Sequence, residues 1–364
     1  MMTGVLEMRG IGLCASIRRF LTFFVRCVSL ELSRDGLLLF RFTFGRFLFL
    51  CILVVAIPYL MVFNHLGMWL DDIIFPSWRD TDVDSPLFIV GNARSGTTFL
   101  HRLIQQADSD VQFTTFRTWE IIFGVSITWK LLFYSLYWLD QTLFGTLGMS
   151  LHDNVLMDME KRLIGDISVH AVGLQEPEED EWLMVHIGLS QLIMFFFPLG
   201  GAQLNPLVYF DSTPPIEASC ASLAEETKKE IFQFYRDCVK RHLYFKTHFS
   251  SSSGQQQQQR QGQRKKWFFI SKNPPFTTRL ASLATAFPSA KIAVCVRDPV
   301  QSVPSMVSYI SLAWQAFACP VQVSLSLSLR LKGVSSILLA FYVLRSATLD
   351  SSGVLRSYSI ISIA

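Results

Sequence analysis

The chain has 364 residues and a net charge of +3, with 50% apolar and only 17% charged residues, against roughly 25% charge in an ordinary soluble domain. That balance excludes a disordered, collagenous or coiled-coil chain, and the charge is too small to argue for nucleic acid. Seven widely spaced cysteines show no CxxC and no His/Cys ligand spacing, so no metal is expected, and at most one or two bridges are open to Cys220, Cys238, Cys295 and Cys319.

In chain order, residues 1–46 hold seven Arg against three acids, and no Asp, Glu, Lys or Arg occurs from Phe47 to Leu70. A bilayer span needs about 20 such residues, and Pro58 is a kink that a spanning helix tolerates. The charge bias predicts a cytosolic tail over 1–46, a transmembrane signal anchor over 47–66 and a translocated remainder. The plainer account is a buried core helix.

Pro86–Gly91 predicts a short buried strand, and Thr97–Ala107 a helix with Phe99, Leu100, Leu103 and Ile104 on one side. Between them runs GNARSGTT, Gly91 to Thr98, which matches the spacing G-x-x-x-x-G-K-[ST] of a phosphate-binding loop with Thr97 in place of the Lys. Gly91 and Gly96 permit the tight backbone, and the N–H groups of Ser95, Gly96, Thr97 and Thr98 at a helix N-terminus suit an anion. Arg94 adds a guanidinium for a terminal oxyanion. Without the Lys, triphosphate chemistry is not expected, so the ligand is read as a nucleotide with a 5′-phosphate and no γ-phosphate. A plain glycine-containing strand–helix turn is the bland alternative.

Val111–Phe113 is a second candidate strand, followed by FRTWE and Glu120. Two apolar stretches come next, Ile121–Leu139, broken by Lys130, and Leu183–Gly200, broken by His186 and Gln191; both are expected in the core. Glu178, Glu179, Asp180 and Glu181 form a carboxylate cluster able to raise one another's pKa, or an acidic helix start after Pro177. Lys246-Thr247-His248 precedes a low-complexity insert, 250–266, expected on the surface and disordered.

Trp267–Ser271 and Lys291–Val296 are two more strands, each followed by a helical pattern. This alternation predicts a parallel sheet with ligands at the carboxyl ends of its strands. Lys272 ends the first of these strands and Arg297 the second, with Ser305 eight residues further on the next helix. Taken alone, Arg297-Asp298-Pro299 also reads as a capped helix start, and Lys272 as a solvated turn residue. After about Leu312 the pattern fades: Val321–Leu331 alternates like an exposed strand with no obvious partner, and 313–364 is otherwise an atypical, featureless apolar tail.

Arg94–Thr98 (RSGTT) after a strand, with Arg297 and Ser305 in the same order, resembles the sulfotransferase family that uses 3′-phosphoadenosine 5′-phosphosulfate (PAPS). Membrane-bound members often carry Arg where cytosolic ones carry Lys. QEPEEDEWL, YFDSTPP, VKRHLYF and SKNP look like stretches of a eukaryotic, often microbial, branch, and the likeness covers roughly residues 85–312.

The resemblance implies an α/β fold over 80–312, with a P-loop-like central parallel sheet flanked by helices and an N-terminal transmembrane helix. It implies transfer of a sulfuryl group from PAPS to a hydroxyl or amine of a glycan, lipid or protein, without a metal or a nucleic-acid partner. Arg94, Ser95, Gly96, Thr97 and Thr98 would hold the 5′-phosphosulfate, and Arg297 and Ser305 the 3′-phosphate. Lys272 would act at the bridging oxygen. Glu120 and Glu179 are the candidate bases, Glu120 standing where many members place an acceptor-side carboxylate.

Lys246-Thr247-His248 is similar to the K-T-H of cytosolic members, but its place before the insert marks a chance match. A type II Golgi protein with a lumenal domain is expected. The family spends a longer stretch after the position of Leu312 closing over the nucleotide, and this chain departs from it there. A P-loop nucleotide kinase, disfavoured by the missing Lys, and an inactive membrane-anchored scaffold of the same fold are the alternatives.

Overall fold

A computed structural model describes residues 12–33, 42–106, 112–145, 150, 152, 173–197, 206–212, 222–249, 266–317 and 358–362. Its strands are β1 (Leu87–Gly91), β2 (Gln112–Thr114), β3 (Trp267–Lys272), β4 (Lys291–Val296) and β5 (Tyr358–Ser362). They form one sheet in the order β2-β3-β1-β4-β5, and every pairing is parallel. The central strands are apolar on both faces because both faces are covered. Phe88, Val90 and Phe269 pack with Tyr235 and Cys238 of a long helix, Glu225–Phe249. Ile89, Ile270 and Cys295 meet Leu100 and Ile104 from the other side.

Four of the five strands fall within a residue or so of the sequence expectation. The fifth corrects it: Tyr358–Ser362 lies in the tail read as featureless, yet pairs with β4 from Ile292↔Tyr358 to Val296↔Ser362. Without β5, β4 would present an open edge of unpaired backbone groups. Val321–Leu331 and, apart from Lys266, the low-complexity insert lie outside the described residues. Cys238 and Cys295 are free thiols, so neither takes part in the one or two bridges the sequence left open. They sit in clusters on opposite faces of the sheet and cannot meet; Cys220 and Cys319 lie outside the described residues.

Among the described residues, two α-helices precede the sheet, α1 (Leu13–Glu31) and α2 (Phe44–Ile74). The Thr43 hydroxyl starts α2 by accepting the Arg46 N–H at 3.1 Å. Arg46, Leu50, Leu53, Ile57, Met61, Asn64, Met68 and Asp71 recur every three to four residues and are buried, which is the spacing of one helical face. Ile52, Val55, Tyr59, Val62 and Leu66 form the opposite, exposed face. Among the described residues α2 is the one helix long and apolar enough to cross a membrane.

Phe20 and Cys27 of α1 share a cluster with Leu50, Ile57 and Met61 of α2 and with Val185, Ile193 and Phe197 of the α/β domain. A buried Arg46–Glu31 ion pair at 2.6 Å ties the hairpin, and Arg46 also donates to the Phe196 and Phe317 carbonyls at 2.7 and 3.1 Å. The sequence reading sets a bilayer between residues 1–46 and the domain. In the structure α1, a part of that stretch, packs on residues 185–197 of the α/β domain.

The helices numbered next are α3 (Thr97–Gln106), α4 (Thr118–Ile122) and α5 (Ile127–Phe144), then α6 (Glu225–Phe249), α7 (Leu280–Ala286) and α8 (Pro299–Ala316). The core expected over Leu183–Gly200 is present in Leu183, Met184, Ile187, Leu192, Ile193 and Phe197, all buried. The core expected over Ile121–Leu139 holds only at its start. On α5 only Ile127 and Lys130 are buried, while Leu136, Trp138, Leu143 and Phe144 are exposed. The reason is one-sided packing: Trp129 stacks on Phe63 of α2 at 4.5 Å and donates to its carbonyl at 2.8 Å, leaving the distal turns uncovered.

Candidate active site

The parallel register sets the carboxyl ends of β1, β3 and β4 side by side, with Ile89 opposite Lys272 and Gly91 opposite Cys295. The glycine loop leaves β1 at this edge and enters α3. Gly91 has φ +143°, and a Cβ there would lie 2.3 Å from the Cys295 carbonyl oxygen, so only glycine lets β1 turn this close to β4. Gly96 has φ 92° and Arg94 φ 67°. A non-glycine residue held in this region costs about 1–3 kcal/mol and is found where a site over-determines it.

Arg94 Nε donates to Ser305 Oγ at 2.9 Å, and its guanidinium lies 5.7 Å from the Tyr309 ring. Arg297 Nη1 donates to the Arg94 carbonyl at 3.2 Å. Residues separated by two hundred positions thus converge on one cradle, because β1 and β4 are neighbours. The Ser95 hydroxyl is buried and has no partner, and Thr97 is buried at the first turn of α3. Two positive-φ glycines, an unpaired buried hydroxyl, a helix start and two guanidinium groups are the donor set of an oxyanion site.

Lys272 is fully buried at the end of β3, which removes the solvated-turn reading. Its Nζ donates to Glu179 Oε1 at 3.2 Å and to Thr98 Oγ1 at 3.4 Å, with Glu178 at 4.0 Å. Burial raises the Glu179 carboxyl above the usual range; Lys272 opposes this and Glu178 adds to it. Its side chain stays 20% exposed.

The rest of the acidic run holds Glu179 in place. Asp180 accepts from Tyr235 at 2.6 Å, from Ser271 at 2.9 Å and from Asn273. Burial pushes Asp180 up to about 7 against these bonds. Glu181 pairs with Arg279 at 2.8 Å and accepts from Ser190 at 2.7 Å. The run does open a short 3-10 helix, Asp180–Ile187, with Glu179 at its N-cap, but two of its carboxylates lock inward and leave Glu179 at the cradle.

Glu120 does not reach this site. Its side chain is 0% exposed, its Oε1 lies 3.4 Å from Lys130 Nζ, and its Oε2 accepts the Arg117 N–H at 2.9 Å. Lys130 in turn donates to His242 Nδ1 at 2.9 Å, which leaves Nε2–H for Thr114 Oγ1 at 2.8 Å. Burial, then the Lys130 charge, hold His242 well below its usual range and therefore neutral. Glu120 is a capping and core-pairing residue, not a base open to substrate. His248 stays on α6, bonded to the Tyr244 carbonyl at 2.9 Å, far in sequence from any strand end.

Three further residues complete the site, and two of them carry no signal of their own in the sequence. The Thr277 hydroxyl accepts the Gly91 N–H at 2.9 Å and donates to the Gly91 carbonyl at 3.0 Å, clasping the loop. His101 on α3 is buried with neither ring nitrogen paired; burial first and the Lys272 charge second push it down to about 3, so the ring is neutral. Tyr309, one helical turn beyond Ser305, flanks Arg94, and that i+4 spacing is the one signal that could have found it.

Fold and cradle define a class: a parallel α/β protein with a P-loop-like glycine loop in which Thr97 stands in place of the usual Lys and two arginines converge. A model of the Sulfotransferase family matches residues 217–331, a stretch that includes Lys272, Arg297 and Ser305. The omega-hydroxy-beta-dihydromenaquinone-9 sulfotransferases Stf3 of Mycobacterium bovis and Mycobacterium tuberculosis are each 24% identical over 249 residues, 68% of this chain and 51% of theirs. The chain thus spans about half the length of these relatives.

Among solved structures, the sulfotransferase STF9 of Mycobacterium avium superposes with a TM-score of 0.57 at 16% identity, over 95% of this chain and 73% of that one. STF1 of Mycobacterium tuberculosis H37Rv gives 0.53 at 18% identity, over 96% and 78%. The fold is that of these sulfotransferases.

Proposed function

We propose that this chain is a sulfotransferase that moves a sulfuryl group from PAPS to the hydroxyl of a lipid-soluble acceptor. The observation that carries the reading is Lys272, held between Thr98 of the glycine loop and Glu179 of the acidic run, beside the Arg94–Ser305–Arg297 cradle. The unpaired Ser95 hydroxyl and the positive-φ loop fit a phosphosulfate. Arg94 and the N–H groups of Ser95, Gly96, Thr97 and Thr98 would hold its 5′ end, and Arg297 with Ser305 the 3′-phosphate.

PAPS supplies the transferable sulfuryl group and a phosphate leaving group. Glu179 Oε1 takes the proton of the acceptor hydroxyl, and its raised pKa brings it nearer the working pH of an efficient base. Lys272 Nζ has an N–H to offer the oxygen that gains negative charge, and burial strengthens that interaction. Tyr235, Ser271 and Asn273, by fixing Asp180, keep Glu179 within reach. The lipid acceptor rests on the menaquinone in the relatives' names and on the exposed apolar faces of α2 and α5.

The test incubates the purified full chain with sulfur-labelled PAPS and a long-chain alcohol in detergent micelles. Label transfer is expected, and Lys272→Ala should abolish it. PAPS should also raise the thermal midpoint, and Arg94→Ala and Arg297→Ala should each remove that rise. Stabilisation by ATP and not by PAPS would overturn the assignment in favour of a kinase. Stabilisation by no nucleotide would overturn it in favour of a scaffold.

A further inference from the structure

Between α1 and the Gly188–Ile193 stretch lies a cleft of about 290 Å³ that no cradle residue lines. Its floor is apolar, from Phe20, Phe23, Ile193 and Leu207, and its rim carries Arg18, Arg19 and Arg26. Arg18, Thr22 and Arg26 stand at i, i+4 and i+8, one stripe of a helix about 12 Å long. The acids nearby do little to offset these charges. Glu230 lies 3.7 Å from Arg19 at a partly exposed position, Glu31 is taken by Arg46 and Glu181 by Arg279. Arg19 Nη1 is buried without a hydrogen-bond partner. The rim therefore calls for an anion with several oxygens, such as a phosphate.

The surroundings say which phosphate. Leu21 and Val25 are exposed on α1 next to the arginines, and the exposed apolar face of α2, from Phe47 through Ile52, Val55 and Tyr59 to Leu66, belongs to the same hairpin. An exposed helix that mixes arginines with aliphatic residues is the signature of an interfacial helix. We propose that the α1 cleft binds the phosphate of an anionic phospholipid, with α2 lying against the bilayer rather than crossing it. Each arginine near an anionic surface strengthens binding about fivefold, so the three together give roughly 100-fold.

Flotation of the full chain with phosphatidylcholine vesicles, with and without phosphatidylglycerol, tests this. The wild type should prefer the anionic vesicles by roughly 100-fold, and Arg18→Ala with Arg26→Ala should remove roughly 25-fold of that preference while leaving binding to neutral vesicles intact. Sulfuryl transfer to a soluble alcohol should be unchanged in the double variant, which keeps this result separable from the fate of the catalytic reading. Equal affinity for both vesicle types overturns the proposal. So does a rise in thermal midpoint with inorganic phosphate that the double variant loses while its vesicle preference persists, since the ligand is then a soluble phosphate. Should the alanine variant fail to fold, wild-type binding across a salt series decides: a preference that fades with salt supports it, and a salt-independent one overturns it.

Discussion

Two buried lysine–glutamate pairs in this fold have nearly the same separation, 3.4 Å for Lys130–Glu120 and 3.2 Å for Lys272–Glu179, and they differ in access. The first is sealed: both side chains are at most 1% exposed, and Lys130 lies within 6 Å of the Phe116 and Phe245 rings. The second stands where β1 and β3 end. The sheet's own register opens that edge, so Glu179 keeps a fifth of its surface and Lys272 reaches the glycine loop. Spacing between charges does not mark a catalytic pair; what surrounds them does.

The sharpest way to break the comparison is to remove each carboxylate in turn. Glu179→Gln should lower turnover per folded molecule by about 10²- to 10⁴-fold, with some loss of stability because buried Lys272 then keeps only Glu178, at 4.0 Å, as a counter-charge. In the wild type, kcat/KM should rise with pH as Glu179 loses its proton, above the ordinary carboxylate range because burial raises that group. This acid limb should vanish in the variant, and Glu120→Gln should leave it in place. A retained limb in Glu179→Gln would move the base elsewhere.

Next in size is the sealed pair. Lys130→Met strands a buried carboxylate and should cost about 3–5 kcal/mol of unfolding free energy in urea, with much of it recovered by adding Glu120→Leu. Turnover per folded molecule should not change. A variant as stable as the wild type would show that Glu120 is not held by its partner.

Arg94→Ala should weaken nucleotide binding by about 10- to 100-fold by calorimetry, and Arg297→Ala by a similar factor, since the two meet at the Arg94 carbonyl. The smallest effect is expected of Thr277→Val, which removes the clasp on Gly91 for about 1 kcal/mol. It should raise KM for the donor a few-fold and leave kcat alone. A fall in kcat instead would mean that the loop's position governs the chemical step.

Much of the site is legible in the order of the residues. Gly91, Gly96 and Arg94 announce a loop because the backbone they require is local, and Lys272, Arg297 and Ser305 announce themselves by their places at strand ends and one helix further on. Glu120 and Glu179 look alike in the sequence, each an acid near a helix start, since nothing local distinguishes a carboxylate that caps and pairs inward from one that faces a cradle. Thr277 and His101 are invisible there for the same reason: their partners, Gly91 and the neighbourhood of Lys272, are set by sheet neighbours far away in the chain.

The apolar excess divides in the same way. Linear pattern is enough to establish that a parallel sheet, a glycine loop between strand and helix and a long apolar helix exist, because strand periodicity, glycine conformation and helix hydropathy are properties of neighbouring residues. It takes the packed fold to establish that this helix carries a buried stripe along its length, that α1 shares its cluster with the domain, and that α5 leaves its distal turns uncovered. The same holds for the strand that the tail returns to β4. Each of these depends on which surfaces meet, and a linear pattern records that a surface is apolar without recording what covers it.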